Sequence, residues 1–228
     1  IILDPSLVST DFDELRFESA AFSQLHVPPE IGQQTIHKDI ASMERLLSSN
    51  LVSSPYNITS HYLSLKTLTT PNLIFAKALT ALKPVRSDYA TAPYLQSLNF
   101  STVLELVRTF AKDEGIEWKE QSFYVVIFRS KLREGVDAEL LYQLDCESHR
   151  EACESGGLLK YWFGRVDGER RNLATCFWSS REDARKGGLG PWHKKARAAG
   201  RELYDSIIFS THRFTIQDGV EGFKFENW

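Results

Sequence analysis

Phe123-Tyr124-Val125-Val126-Ile127-Phe128 is apolar at every position, and this stretch decides the fold. A half-buried strand alternates apolar and polar residues, so a strand that is apolar on both alternating faces is covered on each side. Aromatic and β-branched side chains at this density also favour strand over helix. The sheet built around this stretch therefore needs one body on each of its faces.

Working outward toward the C-terminus, Gly135 precedes Asp137, a helix-capping residue. The segment that follows carries Leu141, Leu144, Ser148 and Ala152 along one stripe, until Gly156-Gly157 stops it. Leu158 to Phe163 reads as a strand, Asp167-Gly168 as a hairpin turn, and Asn172 to Trp178 as the returning strand. Ser179 or Ser180 caps a short helical piece through Lys186, and Gly187-Gly188-Leu189-Gly190 breaks it. Pro191 suits a first helical position, and Trp192, Ala196, Ala199 and Leu203 form the next apolar stripe. Ile207 to Ile216 is read as the last strand. The order strand, helix, strand, strand, helix, strand predicts an α+β, ferredoxin-like domain whose four-stranded antiparallel sheet carries both helices on one face. Its other face must meet either the N-terminal segment or a second copy of the sheet, and of the two we expect the second copy, giving a homodimer.

Toward the N-terminus the pattern is mixed, and Pro28-Pro29, Pro55, Pro71, Pro84 and Pro93 interrupt it. Three helices are predicted there, over Gln33 to Leu47, Asn72 to Leu82, and Ser101 to Glu114, the last capped by Ser101 and ended by Gly115. The division expected is a mainly helical extension over residues 1–120 and the ferredoxin-like domain over 121–228.

The 228 residues are 42% hydrophobic and 25% charged, with a formal net charge of −3. These are globular proportions, and the charge balance argues against the positive field that nucleic-acid binding needs. No run of apolar residues is long enough to span a membrane, and Ile1-Ile2-Leu3-Asp4-Pro5 begins no visible secretory signal. The missing initiator Met leads us to expect residues upstream of Ile1. Cys146, Cys153 and Cys176 lack metal-site or disulfide-framework spacing, which suits a reducing compartment, cytoplasmic or also nuclear. Asn57-Ile58-Thr59 and Asn99-Phe100-Ser101 match the glycosylation pattern and are read as chance matches. No dinucleotide-binding, zinc-protease or esterase motif is present.

With that order in hand, Thr175-Cys176-Phe177-Trp178-Ser179-Ser180 followed by Glu182, Ala184 and His193 resembles the third strand and second helix of dimeric α+β barrel proteins, typified by antibiotic-biosynthesis monooxygenase-like domains. Gly156 to Gly164, Arg171 to Cys176, Gly190 to Ala196 and Asp88 to Tyr94 further resemble an uncharacterised fungal protein family. The second resemblance implies a fungal intracellular setting and no chemistry. The first implies that a His on the second helix serves as an acid or base, or as an iron ligand in haem-binding members, and it carries those roles to His193.

The residues themselves nominate a site. His193 opens a helix after a glycine-rich loop, with Lys194 and Lys195 beside it, where free N–H groups attract an anionic ligand. Asp145 and His149 stand four apart on one helix, so the carboxylate could orient the imidazole as a general base. Trp178, Trp192, Tyr161 and Tyr124 offer walls for a flat ligand, and Arg129 a carboxylate clamp. Each has a plainer reading as packing or solvated surface. The expectation is a small-molecule-binding protein, as a cofactor-free enzyme of monooxygenase, cyclase or dehydratase type, with its pocket between helices and sheet. The alternatives are haem binding through His193 or His149, and a non-enzymatic dimeric interaction protein.

Overall fold

The computed structural model describes residues 50–56 and 59–228; the helix predicted over Gln33 to Leu47 lies outside them. A short ribbon pairs β1 (Asn50–Val52) with β2 (Tyr62–Ser64). Helices α1 (Thr70–Ala78), α2 (Tyr94–Ser97) and α3 (Phe100–Asp113) follow. Pro71 sits in the first turn of α1, where its missing N–H costs nothing. The third helix begins one residue before Ser101, and Gly115, at φ +67°, closes it. Then come β3 (Gln121–Leu132), α4 (Ala138–Ser155), β4 (Leu158–Phe163), β5 (Arg171–Trp178), α5 (Arg181–Gly187), α6 (Pro191–Leu203), β6 (Tyr204–Ile216) and β7 (Phe223–Asn227).

The sheet order is β4-β5-β3-β6-β7, antiparallel throughout. Its first four strands have the ferredoxin-like arrangement read from the sequence. The hexapeptide lies at its centre, with Tyr124 opposite Trp178 on one side and Phe123 opposite Phe214 on the other. β7 corrects the expectation that Ile216 ends the sheet: Phe223-Lys224-Phe225 alternates, but over too few residues to stand out from a loop.

The two faces of β3 have different covers. Tyr124 and Val126 pack with Leu158, Trp178, Ala152 of α4 and Ala184 of α5. On the other face, Phe123, Val125, Ile127, Phe177 and Phe214 join one core with Leu51, Leu63, Phe75, Leu79, Leu82, Phe100, Val103 and Val107. Phe75 of α1 lies 4.2 Å from Phe123, 5.7 Å from Phe214 and 5.8 Å from Phe177 between ring centroids. The expected cover, a second copy of the sheet, is therefore corrected: the chain's own N-terminal segment fills that face. The physical reason is proximity in one chain, since α1 and α3 supply the apolar area without the entropy loss of association.

Arg129 shows how the segment is fastened. Its guanidinium donates to the carbonyl oxygens of Ala92, at 2.6 Å, of Tyr89, at 3.4 Å, and of Ala90. The expected carboxylate clamp is thus a backbone clamp, holding the loop before α2 against the sheet. Asn99 is buried, with its side chain bonded to the Ala81 carbonyl and the Lys83 N–H.

Candidate functional site

Helix α4 begins where Asp137 accepts the Leu140 N–H, and ends at Gly156, whose φ of +82° only glycine adopts readily. Its Leu144, Ser148 and Ala152 turn inward as the stripe predicts. The next row, Asp145, His149 and Cys153, meets the segment leading into β2. There Ser53 bonds the edge of the sheet, its carbonyl accepting the Tyr161 N–H at 2.8 Å.

Asp145 receives two phenols, Tyr161 at 2.5 Å and Tyr56. The residue keeps some surface, but its carboxyl group is enclosed. That desolvation raises its pKa above the usual carboxylate value, while the Tyr161 and Tyr56 hydroxyls and the nearby charge of His193 pull it back. Both phenols are in turn held above their ordinary pKa, by desolvation first and by the Asp145 charge second.

His149 and His61 meet Nδ1 to Nδ1 at 2.7 Å, with ring planes 3° apart. The centroid separation of 5.0 Å is what that bond plus two ring radii gives, so the rings lie edge to edge rather than stacked. Only one proton fits between the two nitrogens, so the pair cannot carry two charges. Burial pushes both pKa values down, and His61, His193 and Lys160 lower His149 further. Cys153 Sγ is 3.6 Å from His149 Nε2 and Cys146 Sγ 3.7 Å from His61 Nε2. Burial pushes the Cys153 thiol up to about 12. At neutral pH the two imidazoles are therefore neutral and the phenols and thiols intact, around the enclosed Asp145 carboxyl group. Tyr56 sits among them as an aromatic hub, 5.3 Å from His149, 6.0 Å from Phe163 and 6.0 Å from Tyr142, which is 46% exposed.

The second arm of the site joins α4 to α6. The Glu151 carboxylate accepts the Trp192 N–H at 2.7 Å, the His193 N–H at 3.1 Å, and the His193 ring Nδ1 at 3.1 Å. Burial alone would raise this carboxyl, but those donors outweigh it and hold the pKa below its ordinary value. Gly190 leaves the room required: a Cβ there would lie 2.2 Å from Glu151 Oε2. His193 is thereby an imidazole oriented by a carboxylate, with its side chain 25% exposed. A shallow depression of ≈ 370 Å³ opens beside it, between Trp192, Glu154 and Lys186.

Several nominated residues find other work. The N–H groups expected to hold an anion are taken by Glu151, an anion of the chain itself. Asp145 engages Tyr56 and Tyr161 and not His149, whose Nδ1 faces His61. Trp178 and Tyr124 are core residues, not pocket walls, and Trp178 packs so closely on Gly187 that a Cβ there would meet its ring at 2.2 Å. Trp192 is half-buried under the Lys195 ammonium, 3.9 Å from its ring centroid, and Lys194 is exposed. Tyr161, His149 and Asp145 do converge, and His193 lies near enough for its charge to act on Asp145 and His149. Tyr56, His61 and Glu151 escape the sequence reading, because nothing local ties positions 42 residues apart, as Glu151 and His193 are, or 88 apart, as His61 and His149 are.

His149 does not suit a haem iron, since its Nδ1 is committed to His61 and the side chain is buried. Among the described residues no group of three or more His, Cys, Asp or Glu side chains could hold a metal ion, and no helix is long and apolar enough to cross a membrane.

Comparison with known proteins places residues 52–227 in the family described as PB2B2.08-like. The UPF0643 protein PB2B2.08 of Schizosaccharomyces pombe is 35% identical over 181 residues, covering 76% of this chain and 82% of that protein. Among solved structures, Rv0793 from Mycobacterium tuberculosis is similar at 18% identity and a TM-score of 0.35, covering 39% of this chain and 91% of that one. SnoaB, a cofactor-independent oxygenase from Streptomyces nogalater, is similar at 14% identity and a TM-score of 0.34, covering 39% and 89%. A dimeric ferredoxin-like protein of unknown function from Bacteroides fragilis is similar at 20% identity and a TM-score of 0.30, covering 39% and 93%.

Proposed function

We propose that this chain, which belongs to the PB2B2.08-like family, binds a planar, hydroxylated small molecule where α4, α6 and β4 converge, and moves a proton on it without a cofactor. The observation that carries this reading is the enclosed Asp145 carboxyl group accepting from two phenols beside a neutral histidine pair. A purely structural helix–sheet contact is more stable when apolar, whereas titratable groups with displaced pKa values gather where chemistry is done. The partly exposed rings of Tyr161 and Phe163, 5.6 Å apart between centroids, supply aromatic surface for a flat ring.

His193 is the proton acceptor in this scheme. In its neutral form, with Nδ1–H donating to Glu151, Nε2 carries the lone pair, and the Glu151 carboxylate stabilises the imidazolium that forms. The anionic ligand suggested by the sequence loses its main support, since the helix terminus already has its carboxylate. Thermal-shift and calorimetric screening of hydroxylated aromatic compounds tests the reading. A ligand should raise the melting temperature of the wild type, and His193→Ala should abolish turnover while the protein stays folded. Unchanged turnover in His193→Ala would remove His193 from the mechanism, and a panel without ligands would count against the site.

A further inference from the structure

With one sheet face under the helices and the other under α1 and α3, the largest run of exposed apolar side chains lies on β6. Ile207, Ile208 and Phe209 are 48%, 65% and 59% exposed. β7 pairs with β6 only from His212 to Ile216, so among the described residues no strand pairs with the outer edge from Tyr204 to Ser210. The Trp228 N–H donates to the Thr211 carbonyl across that edge at 3.1 Å. Strand alternation then points the N–H and C=O groups of Phe209 and Ile207 the same way, out of the sheet. Natural edges are blunted with charge, Pro or a bulge. Here the charge and the register irregularity both fall at Asp205, and the stretch beyond it, Ser206-Ile207-Ile208-Phe209-Ser210, carries no charge, Pro or bulge.

We propose that this edge pairs with the same edge of a second copy of the chain, β6 against β6, antiparallel about a two-fold axis at Ile208. What selects that occupant is the symmetry of the segment, which presents hydroxyl, apolar, apolar, apolar, hydroxyl in either direction. Antiparallel pairing centred on Ile208 sets Ile207 opposite the second copy's Phe209, with the two exchanging both backbone hydrogen bonds, and Ser206 opposite the second copy's Ser210. Moving the axis to Ile207 would set Phe209 against Asp205, so the apolar matching fixes the register. Phe209 already packs edge-on to Phe128 at 5.5 Å, which gives the added strand an aromatic floor on the helix side. Face-to-face assembly of two sheets has no surface left, because Phe123, Phe177 and Phe214 are fully covered within the chain.

Light scattering coupled to size exclusion on the full chain, at micromolar concentration, tests this. The wild type should run at twice the 26.0 kDa chain mass. Ile208→Lys, which sets two ammonium groups against each other across the axis, should fall to the single-chain mass while its circular dichroism spectrum stays that of the folded wild type. Ile208→Cys should give a reducible dimer on a non-reducing gel, where the parent with its three native cysteines gives none. A wild type at single-chain mass, whatever part of the chain then covers the edge, would overturn the proposal. So would a dimer that survives Ile208→Lys.

Discussion

Glu151→Gln is the sharpest perturbation of the α4–α6 junction. Helix α6 has Gly190 before its first turn and no capping side chain of its own; Glu151, with its side chain 10% exposed, caps it from another helix. The substitution keeps one carbonyl acceptor and turns an amide N–H₂ toward a backbone N–H. It thereby loses at least one charge-assisted bond, about 1.5–3 kcal/mol, and the carboxylate's attraction to the helix terminus, about 0.3–1 kcal/mol. A total of about 2–4 kcal/mol lowers the melting temperature of a chain this long by roughly 4–16 °C. The pH dependence has a definite sign. The Glu151 pKa is depressed in the folded state, so its contribution is present above the unfolded value of 4.5 and is lost as pH falls through the folded one. Thermal unfolding followed by circular dichroism should show the full gap between wild type and variant at neutral pH, and a closing gap in acid. A gap under about 1 °C at neutral pH, or one that does not change in acid, would refute the capping role.

Gly190→Ala should destabilise by a similar amount, since its Cβ displaces the same carboxylate. Combined with Glu151→Gln it should cost far less than the sum of the two, as a double-mutant cycle by chemical denaturation would show. His61 and His149 both have depressed pKa values, so below about pH 6.5 the unfolded chain binds protons that the folded chain refuses, and stability should fall with acidification. Asp145, held above 3.8, has the opposite sign and loses its contribution as pH rises through its folded value. The histidine effect is therefore read from the difference between wild type and His61→Gln, whose acid slope should be shallower in urea titrations; equal slopes would mean that the pair is not the source.

Where structure follows from neighbours in sequence, the sequence is a good guide. Asp137 and Ser180 cap the helices they precede, Gly156 and Gly115 end theirs, and Pro191 opens α6. The six apolar residues of β3 correctly required two covers. Which bodies provide those covers was not legible, because α1 and a second sheet would bury the same side chains. The site divides the same way. Asp145 and His149 were recognisable as inward residues of one helix, but their partners Tyr161, Tyr56 and His61 come from β4 and the segment before β2.

The claim on which the functional reading depends is that a ligand enters between α4, α6 and β4. Nuclear magnetic resonance of protein labelled at its tyrosine and histidine rings, titrated with hydroxylated aromatic compounds, tests it at the residues concerned. The account expects saturable shifts at Tyr161, Tyr56, His149 and His193, with His212 on β6 unmoved. Saturable binding that leaves those four resonances in place and moves others would contradict it.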